Sequence, residues 1–375
     1  MSEKILMSGN DAIAEAAIRA GCGAYFGYPI TPQNEIPAYM SRHMIEKGRV
    51  FIQAESEIGA VIMVYGASCA GLRAMTSSSS PGMSLKQEGI SYGCGADVPM
   101  VIANIARGGP GLGNIAPAQS DYFQSTRGGG HGDYYCIVLA PKSVQECADF
   151  TYLAFDLADK YRMPVIIQAD GMIGQMVEGV VLPPAIDPKD IPPRDWVAGK
   201  MAARPVMPSG HEMSDGRRQA RHITSINLVP ESLEKQTADR FTRYETIKEN
   251  ETRLEDTGCA DADLVLVAYG TSARVCLGAR MLAAKEGIKL GIFRPVTLWP
   301  FPYKELAKIA AKGTPLLTVE MSQGQLVEDV KLAVYEAVAA GQATGVSKVS
   351  LLGHSGGIIP TEEEVFAEAK KILGK

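Results

Sequence analysis

Residues 51–82 read FIQAESEIGAVIMVYGASCAGLRAMTSSSSPG, and this stretch predicts the main repeating unit of the fold. The apolar run Phe51–Ala54 predicts a strand, the segment from Ile58 to about Ala70 predicts a helix, and Arg73–Thr76 predicts a second strand. A strand, a helix and a strand in succession form the repeating unit of a parallel sheet. Open α/β sheets bind ligands at the carboxyl ends of their strands, so Glu57, between the first strand and the helix, is a candidate site residue.

The same alternation on both sides of this stretch divides the chain into three parts. Residues 1–180 alternate strand and helix, which predicts a parallel sheet with helices on both faces. Residues 181–258 are rich in proline and then in charge, so we expect a connector with one helix, from Thr237 to about Arg253. Residues 259–375 alternate again and predict a second, smaller α/β domain.

The composition argues against several classes of function. The chain has 375 residues, 21% of them charged, and a formal net charge of −5, which argues against a nucleic-acid partner. No apolar run reaches the ~18 residues of a membrane-spanning helix and no signal peptide is recognised, so we expect a cytoplasmic protein with no membrane contact. The seven cysteines form no CxxC pair and fit neither a zinc site nor an iron–sulfur cluster.

Motifs that bind phosphates are not found either. The glycines of GGPGLGN, residues 108–114, follow a predicted strand, but no helix pattern begins from them. The sequence has no GxxxxGK[ST] motif, no nucleophile elbow and no Asp–Asn pair that could hold magnesium against a diphosphate. The chain therefore shows half of a site, and no metal ligand is assigned.

Several polar residues stand where predicted helices begin. Ser, Thr and Asn are favoured at such positions because their side-chain oxygens accept hydrogen bonds from the first free amides of the helix. We expect helix N-caps at Asn10, Thr31, Ser80, Ser143, and Thr271 or Ser272, and a last helix that begins near Thr361.

Glu57 has a structural and a functional interpretation. As an acid in the first turn of a helix it is favoured by the helix dipole by ~0.3–1 kcal/mol, which requires no ligand. Alternatively, it is a carboxyl group beside Ile58 and Val61 at a sheet edge, where it could share a proton with a nitrogen base of a cofactor. Glu55, two residues earlier, is the rival acid.

Four other features have two interpretations each. Serines 77–80 form either a turn before a helix or an anion site of hydroxyls and amides. Arg107 is either a solvated turn residue or a fork for a substrate carboxylate. Thr31 is a cap or a hydrogen-bond donor to a small ligand. His131, among glycines, is a loop residue or a group that exchanges protons near neutral pH.

Seven segments together resemble a known family. They are GYPITP (27–32), QAESEIGA (53–60), TSSSSPG (76–82), ARGGPGLG (106–113), GGGHGDY (128–134), LAPKSVQE (139–146) and RPVTLWPFP (294–302). In this order and spacing they resemble the alpha subunit of the 2-oxoacid:ferredoxin oxidoreductases, most closely the branched-chain 2-oxoisovalerate or 2-oxoglutarate type. The resemblance spans nearly the whole chain.

The resemblance implies a fold and a cofactor. Residues 1–180 would form the pyrimidine-type thiamine diphosphate-binding domain, a doubly wound parallel sheet, and residues 259–375 would resemble the C-terminal domain of transketolase. Glu57 would be catalytic and would contact the ring nitrogen of the thiamine pyrimidine. Pro29 and Ile30 would lie beside the same cofactor.

The resemblance also implies a reaction. A 2-oxoacid, with 3-methyl-2-oxobutanoate favoured over 2-oxoglutarate, would lose carbon dioxide, coenzyme A would take up the acyl group, and the electrons would reduce ferredoxin through iron–sulfur clusters. The residues that would bind the substrate are Thr31, Ser79, Arg107 and His131.

The resemblance implies partner subunits that complete the site. A beta subunit would hold the magnesium and the diphosphate, and gamma and ferredoxin-like delta subunits would join it, with the iron–sulfur clusters in these partners. The small residues 66–71 would pack at the alpha–beta interface. Two alternatives stay open at this point, a component of a lipoamide-linked 2-oxoacid dehydrogenase and a non-catalytic assembly subunit.

Overall fold

The structure is a computed structural model that describes residues 4–192, 194, 196–197, 223–341 and 347–375. Two large β-sheets with helices packed against them form the framework of the described residues. Residues 198–222 of the expected connector, and Val346, the expected start of a strand, lie outside the described residues.

The elements largely follow the predicted alternation. Up to residue 180 they are β1 (Ile5–Ser8), α1 (Gly9–Arg19), β2 (Ala24–Gly27), α2 (Glu35–Glu46), β3 (Val50–Gln53), α3 (Glu57–Cys69), β4 (Ala74–Ser78), α4 (Ser80–Gly95), β5 (Met100–Ala106), α5 (Tyr122–Thr126), β6 (Ile137–Leu139), α6 (Val144–Tyr161), β7 (Pro164–Asp170), α7 (Gly171–Gln175) and β8 (Val177–Val180). They continue with α8 (Pro230–Asn250), β9 (Leu254–Thr257), β10 (Leu264–Val267), α9 (Gly270–Lys285), β11 (Leu290–Pro295), β12 (Thr297–Trp299), α10 (Tyr303–Ala310), β13 (Leu316–Glu320), α11 (Leu326–Ala339), β14 (Val349–Gly353) and α12 (Glu362–Leu373).

The larger sheet brings the candidate residues to one edge. Its strands lie in the order β12-β6-β7-β5-β4-β2-β3 and are parallel except for β12. Every residue of β5 and β7 is buried, as expected for central strands covered by helices on both faces. The register places Ser78 opposite Asn104 and Asn104 opposite Gln168, so polar side chains meet at the carboxyl ends of these strands.

The smaller sheet contains strands from two of the predicted parts. Its order is β14-β13-β10-β11-β9, and only β9 is antiparallel to its neighbour. The segment expected as a connector therefore contributes an edge strand to this sheet. Helix α8 begins at Pro230, seven residues before the expected start, and Tyr244 from α8 stacks edge-on against Tyr135 and Trp299.

Two pairings were not expected from the sequence. Strands β1 and β8 form a separate antiparallel ribbon of four residues each. Strand β12, from the RPVTLWPFP segment, pairs antiparallel with β6 at the edge of the larger sheet. Trp299 at the end of β12 stacks on Tyr135 with ring centroids 4.9 Å apart, so the C-terminal part of the chain completes the N-terminal sheet.

Several of the predicted helix caps are wrong. Ser8, not Asn10, caps α1, because the Asn10 amide instead donates to Pro32 O and to Glu35 Oε2, both at 2.8 Å. Thr31 caps no helix: α2 begins only at Glu35, after a tight turn in which Gln33 N donates to Ile30 O.

Helices α4 and α9 also start differently from the expectation. Ser79 is the N-cap residue of α4, and Ser80 is its first helical residue. Thr271 and Ser272 lie inside α9, where their hydroxyls donate to Asp170 and Gln119 of the N-terminal part, at 2.8 Å each. These hydroxyls join the two parts of the chain, so tertiary contacts replace the expected local caps.

Other sequence-based expectations are confirmed. Ser143 caps α6 by accepting from Glu146 N, and Thr361 caps α12 in a reciprocal capping box with Glu364. A separate finding is that the seven cysteines are buried and free, and that no helix in the described ranges is both long and apolar enough to cross a bilayer.

Candidate active site

Glu57 is the first residue of α3, just beyond the carboxyl end of β3. The hydroxyl of Ser56 accepts a hydrogen bond from Gly59 N at 3.1 Å, which fixes the start of the helix. The side chain of Glu57 is only 7% exposed, yet its carboxylate has no hydrogen-bond or ion-pair partner among the residues that the structure describes. A carboxylate that lacks a protein partner on a largely buried residue at a sheet edge is a candidate for contact with a ligand.

The first turn of α4 leaves room for this carboxylate because residue 82 is glycine. A Cβ atom at Gly82 would lie 2.7 Å from Glu57 Oε1 and 2.2 Å from Ser78 Oγ, both closer than real Cβ contacts allow. The glycine of the TSSSSPG segment thus permits α3 and α4 to approach at the candidate site. The role of Gly82 could not be predicted from the sequence, because nothing local indicates which helix it faces.

Lys86, one turn further along α4, is buried next to Glu57. Its Nζ donates to Glu57 O at 3.2 Å and to Thr76 Oγ1 at 3.1 Å. Burial lowers the pKa of Lys86 from the ordinary 10.5 to about 7, and the negative charge of Glu57 opposes this shift. Sequence reasoning missed this residue, since a lysine in a helix is usually solvated.

The four serines have different environments. Tyr25 Oη and Gln33 Oε1 both bond the hydroxyl of Ser77, and Ser80 Oγ donates to Asp121 Oδ2 at 2.6 Å. The hydroxyls of Ser78 and Ser79 are buried without any partner in the described part of the chain. These are the two hydroxyls of the run left without a protein partner in the described residues, and the role of the run in binding an anion stays a prediction.

Arg107 lies at the end of β5 and contacts Thr31. Its Nη1 donates to Thr31 O at 2.8 Å and its Nη2 donates to Leu112 O at 3.0 Å, so the buried guanidinium joins the 28–34 loop to the glycine-rich 108–114 loop. Its Nε is buried without a partner in the described residues. The Thr31 hydroxyl accepts from Asn34 Nδ2 at 3.2 Å and is half-buried.

Behind Ser80, a buried polar network extends below the sheet edge. Asn104 Nδ2 donates to Asp121 Oδ2 at 2.8 Å and to Gln168 Oε1 at 3.1 Å, and Ser125 Oγ donates to the same Gln168 oxygen. Burial raises the pKa of Asp121, while the bonds from Ser80 and Asn104 oppose this effect. The network fixes Ser80 and the first turn of α4.

A cleft of about 510 Å³ opens above this network. It is lined by Ser80 and Asp121 on one side and by Ser322, Gln325 and Ser355 of the C-terminal part on the other. Gly109, Pro110 and Gly111, from the loop that follows Arg107, also line it. The cleft is large enough for a small organic anion or part of a larger ligand.

The remaining expected residues are more scattered. Pro29 is exposed and Ile30 half-buried, in the loop that follows β2 next to Thr31. His131 is exposed, and its carbonyl accepts from Ser91 Oγ at 3.0 Å near the end of α4. Ser91 lies 11 residues after Ser80, about 16 Å along a helix, so the structure does not bring His131 to the Glu57 cluster.

Comparisons with known proteins identify the family. A family model described as "Pyruvate flavodoxin/ferredoxin oxidoreductase, thiamine diP-bdg" matches residues 15–241, more than half of the chain. The chain belongs to the 2-oxoacid:ferredoxin oxidoreductase family. A second model, "Pyruvate:ferredoxin oxidoreductase core domain II", matches residues 262–365.

Two relatives within this oxidoreductase family match over nearly their full length. The chain is 45% identical over 371 residues to ketoisovalerate oxidoreductase subunit VorB of Methanothermobacter marburgensis, covering 99% of this chain and 98% of the relative. It is 35% identical over 383 residues to 2-oxoglutarate synthase subunit KorA of Methanothermobacter thermautotrophicus, covering 98% of each chain.

Two solved structures have the same fold. A 2-oxoglutarate:ferredoxin oxidoreductase from Magnetococcus marinus, with 2-oxoglutarate, coenzyme A and succinyl-CoA bound, matches with a TM-score of 0.81 and 26% identity. The match covers 99% of this chain and 66% of that longer chain. A split-gene transketolase matches with a TM-score of 0.55 at 14% identity and covers 98% of both chains, which supports the transketolase-like fold alone.

These matches confirm the predicted family, fold class and enzyme class. The chain is a subunit of a 2-oxoacid:ferredoxin oxidoreductase with a thiamine diphosphate-binding domain, rather than a component of a lipoamide-linked dehydrogenase. The residues at the sheet edge fit such a cofactor. The Glu57 carboxylate lacks a partner in the described residues, and the unpartnered hydroxyl of Ser78 lies near it on the other side of Gly82.

Proposed function

We propose that this subunit takes part in the coenzyme A-dependent oxidative decarboxylation of 3-methyl-2-oxobutanoate, with 2-oxoglutarate as the second candidate substrate. The preference follows the higher identity to the ketoisovalerate subunit, 45% against 35% for the 2-oxoglutarate subunit. The observation on which the proposal depends is the buried carboxylate of Glu57, which lacks a protein partner among the described residues at the carboxyl edge of a parallel sheet.

In this proposal, Glu57 exchanges a proton with the ring nitrogen of the thiamine pyrimidine. When bound, the cofactor would supply a nucleophilic carbon for addition to the keto group and an acceptor for the electrons of the broken carbon–carbon bond. Glu57 is held for this task by the Ser56 cap and by the space at Gly82. The carboxyl group moves one proton and is restored when that proton returns.

The substrate would lie between the glutamate and the Arg107 loop. Arg107 keeps Thr31 and the 108–114 loop together through two main-chain carbonyls, so its first role is to shape this side of the site. Its Nε, buried without a partner in the described ranges, is the donor left for a carboxylate. Ser79 and Thr31 would provide hydroxyls, whereas His131 would act at a separate cavity of about 470 Å³ that it lines with Arg240.

The subunit is proposed to share the cofactor with a beta subunit. An apolar patch next to Glu57 supports this: Ile58 and Ile62 on α3 are 49% and 41% exposed, and Leu85 on α4 is 49% exposed. Gly66, on the same face of α3, leaves that helix open to close packing. The beta subunit would hold magnesium and the diphosphate.

Electron transfer is assigned to other chains in the proposed complex. Iron–sulfur clusters in the beta or delta subunit would pass electrons to ferredoxin, and a gamma subunit would complete the assembly. The seven free, buried thiols of this chain agree with the reducing cytoplasm proposed as its location.

The decisive experiment replaces Glu57 by Gln in the assembled complex and measures 3-methyl-2-oxobutanoate-dependent reduction of a viologen. Loss of a positioned acid–base group costs about 10²–10⁴-fold in rate, and the variant should keep its melting temperature. Glu55→Gln is the matched control, because Glu55 is exposed and two residues away, and it should retain nearly normal turnover. Wild-type turnover by Glu57→Gln would contradict the catalytic role of Glu57 and would favour a subunit that serves in assembly. A panel with 2-oxoglutarate then tests the substrate.

A further inference from the structure

Lys86 is buried in a way that packing alone does not require. It lies on the face of α4 that contacts α3, between Gly82, which contacts Glu57, and Gly89, whose added Cβ would meet Val61 at 2.5 Å. The side chain is inaccessible to solvent. An apolar side chain of the same length would fill this space without the cost of desolvating an ammonium group.

The ammonium has few partners for a buried cation. Its three protons find two acceptors, the main-chain carbonyl of Glu57 and the hydroxyl of Thr76, and no carboxylate within ion-pair distance in the described residues. Glu57, on the facing helix, is the charged group that acts on its pKa, and Thr76 on β4 is neutral. The cation and the carboxylate therefore share one closed helix interface without touching.

We propose that Lys86 is a positioning residue for Glu57: its ammonium fixes the first turn of α3 through the Glu57 carbonyl and supplies the positive charge that faces the Glu57 carboxylate inside the interface. The inference rests on the proposed function, because it concerns the proton that Glu57 exchanges. The charges of Lys86 and Glu57 interact across the helix interface, so loss of the ammonium would change proton exchange between the carboxyl group and the ring nitrogen.

The electrostatic coupling between Lys86 and Glu57 can be measured in the full chain without cofactor. Lysine labelled with ¹³C at Cε reports its own protonation by NMR, and the Lys86 signal is the one that disappears in Lys86→Met. The midpoint of the Lys86 titration should lie near pH 7. It should be lower in Glu57→Gln, because this variant removes the negative charge that raises the pKa of Lys86. An unchanged midpoint in Glu57→Gln, or a midpoint near that of an exposed lysine, would overturn the proposal.

The catalytic consequence is measured in the complex with thiamine diphosphate. Lys86→Met should slow exchange of the thiazolium C2 proton for deuterium, and kcat, by about tenfold or more, the effect of one pKa unit on a proton-transfer equilibrium. The KM for the oxoacid and the cofactor Kd should change much less. A purely structural role would instead alter folding and cofactor affinity together.

Ser68→Ala is the matched control for this experiment. Ser68 is buried on the far end of α3, where its hydroxyl donates to Pro99 O, so its loss weakens the same helix without approaching Glu57. This variant should lower the melting temperature and keep normal proton exchange. Equal slowing in Ser68→Ala and Lys86→Met would overturn the proposal. If Glu57→Gln is inactive while Lys86→Met exchanges the C2 proton at the normal rate, the positioning role fails and the proposed function stands. Normal turnover in Glu57→Gln would contradict both the positioning role and the proposed function.

Discussion

The burial of Lys86 predicts a pH dependence of stability that one substitution should abolish. The folded chain loses this proton at about pH 7, whereas the unfolded chain keeps it up to the ordinary 10.5. Between these values the unfolded state binds more protons, so the free energy of unfolding contributed by Lys86 rises with pH. The burial penalty is therefore largest below pH 7 and disappears above the unfolded value.

The magnitude follows from the width of this window. Each pH unit inside it is worth 1.36 kcal/mol, and Lys86 is already half-deprotonated at its lower end, so about 2 kcal/mol is gained between about pH 7 and about pH 9. Lys86→Met has no proton to lose and gains nothing. The stability advantage of the variant over the wild type should therefore shrink by about 2 kcal/mol across the same interval.

The assay is urea unfolding of the wild type and Lys86→Met side by side at both pH values, followed by far-ultraviolet circular dichroism. The seven cysteines and the tyrosines titrate in both proteins, so their contributions cancel in the difference. The comparison uses the transition that contains α3 and α4, because a chain with two sheets need not unfold in one step. A stability difference that stays constant between the two pH values would refute the reasoning.

Three other predictions concern Gly82, cofactor binding by the isolated chain and the cysteines. Gly82→Ala should displace the Glu57 carboxylate and abolish turnover in the complex, and it should lower the free energy of unfolding by about 1–3 kcal/mol. Retained turnover would mean that the carboxylate can move freely. The isolated chain should bind thiamine diphosphate only weakly by calorimetry, and tight binding without a beta subunit would contradict the shared site. A thiol reagent at neutral pH should leave the native cysteines unmodified and react with all seven after unfolding. The reason is that burial raises the pKa of Cys22 to about 12 and that of Cys94 well above its ordinary value. Rapid reaction of the native chain would contradict the burial of the thiols.

Local patterns were sufficient to predict the central elements of the fold. The runs that became β5 and β7 are mostly apolar, as is typical of strands buried on both faces, and the amphipathic helix α6 begins after a serine that caps it. The position of Glu57 at a strand-to-helix junction was also predicted from neighbouring residues. Such features depend on residues only a few positions apart, so a sequence displays them directly.

Other features depend on contacts between distant residues and could not be predicted. Nothing local indicates that Lys86 faces α3 or that Thr271 donates to Asp170 instead of capping its own helix. The ribbon of β1 and β8 joins two four-residue strands that lie far apart in sequence. The ends of the predicted parts, residues 180 and 258, stay predictions, although β9 lies before the second of them and belongs to the smaller sheet.

The pairing of β12 with β6 bears on how this chain can be divided. A polypeptide that stopped after residue 258 would leave β6 as an uncovered edge and Tyr135 without the stacked indole of Trp299. Bare strand edges recruit other polypeptides, so such a fragment would tend to aggregate. Proteolytic or genetic separation of the two halves would succeed only if residues 294–302 remained on the N-terminal sheet, even though they are encoded with the C-terminal half.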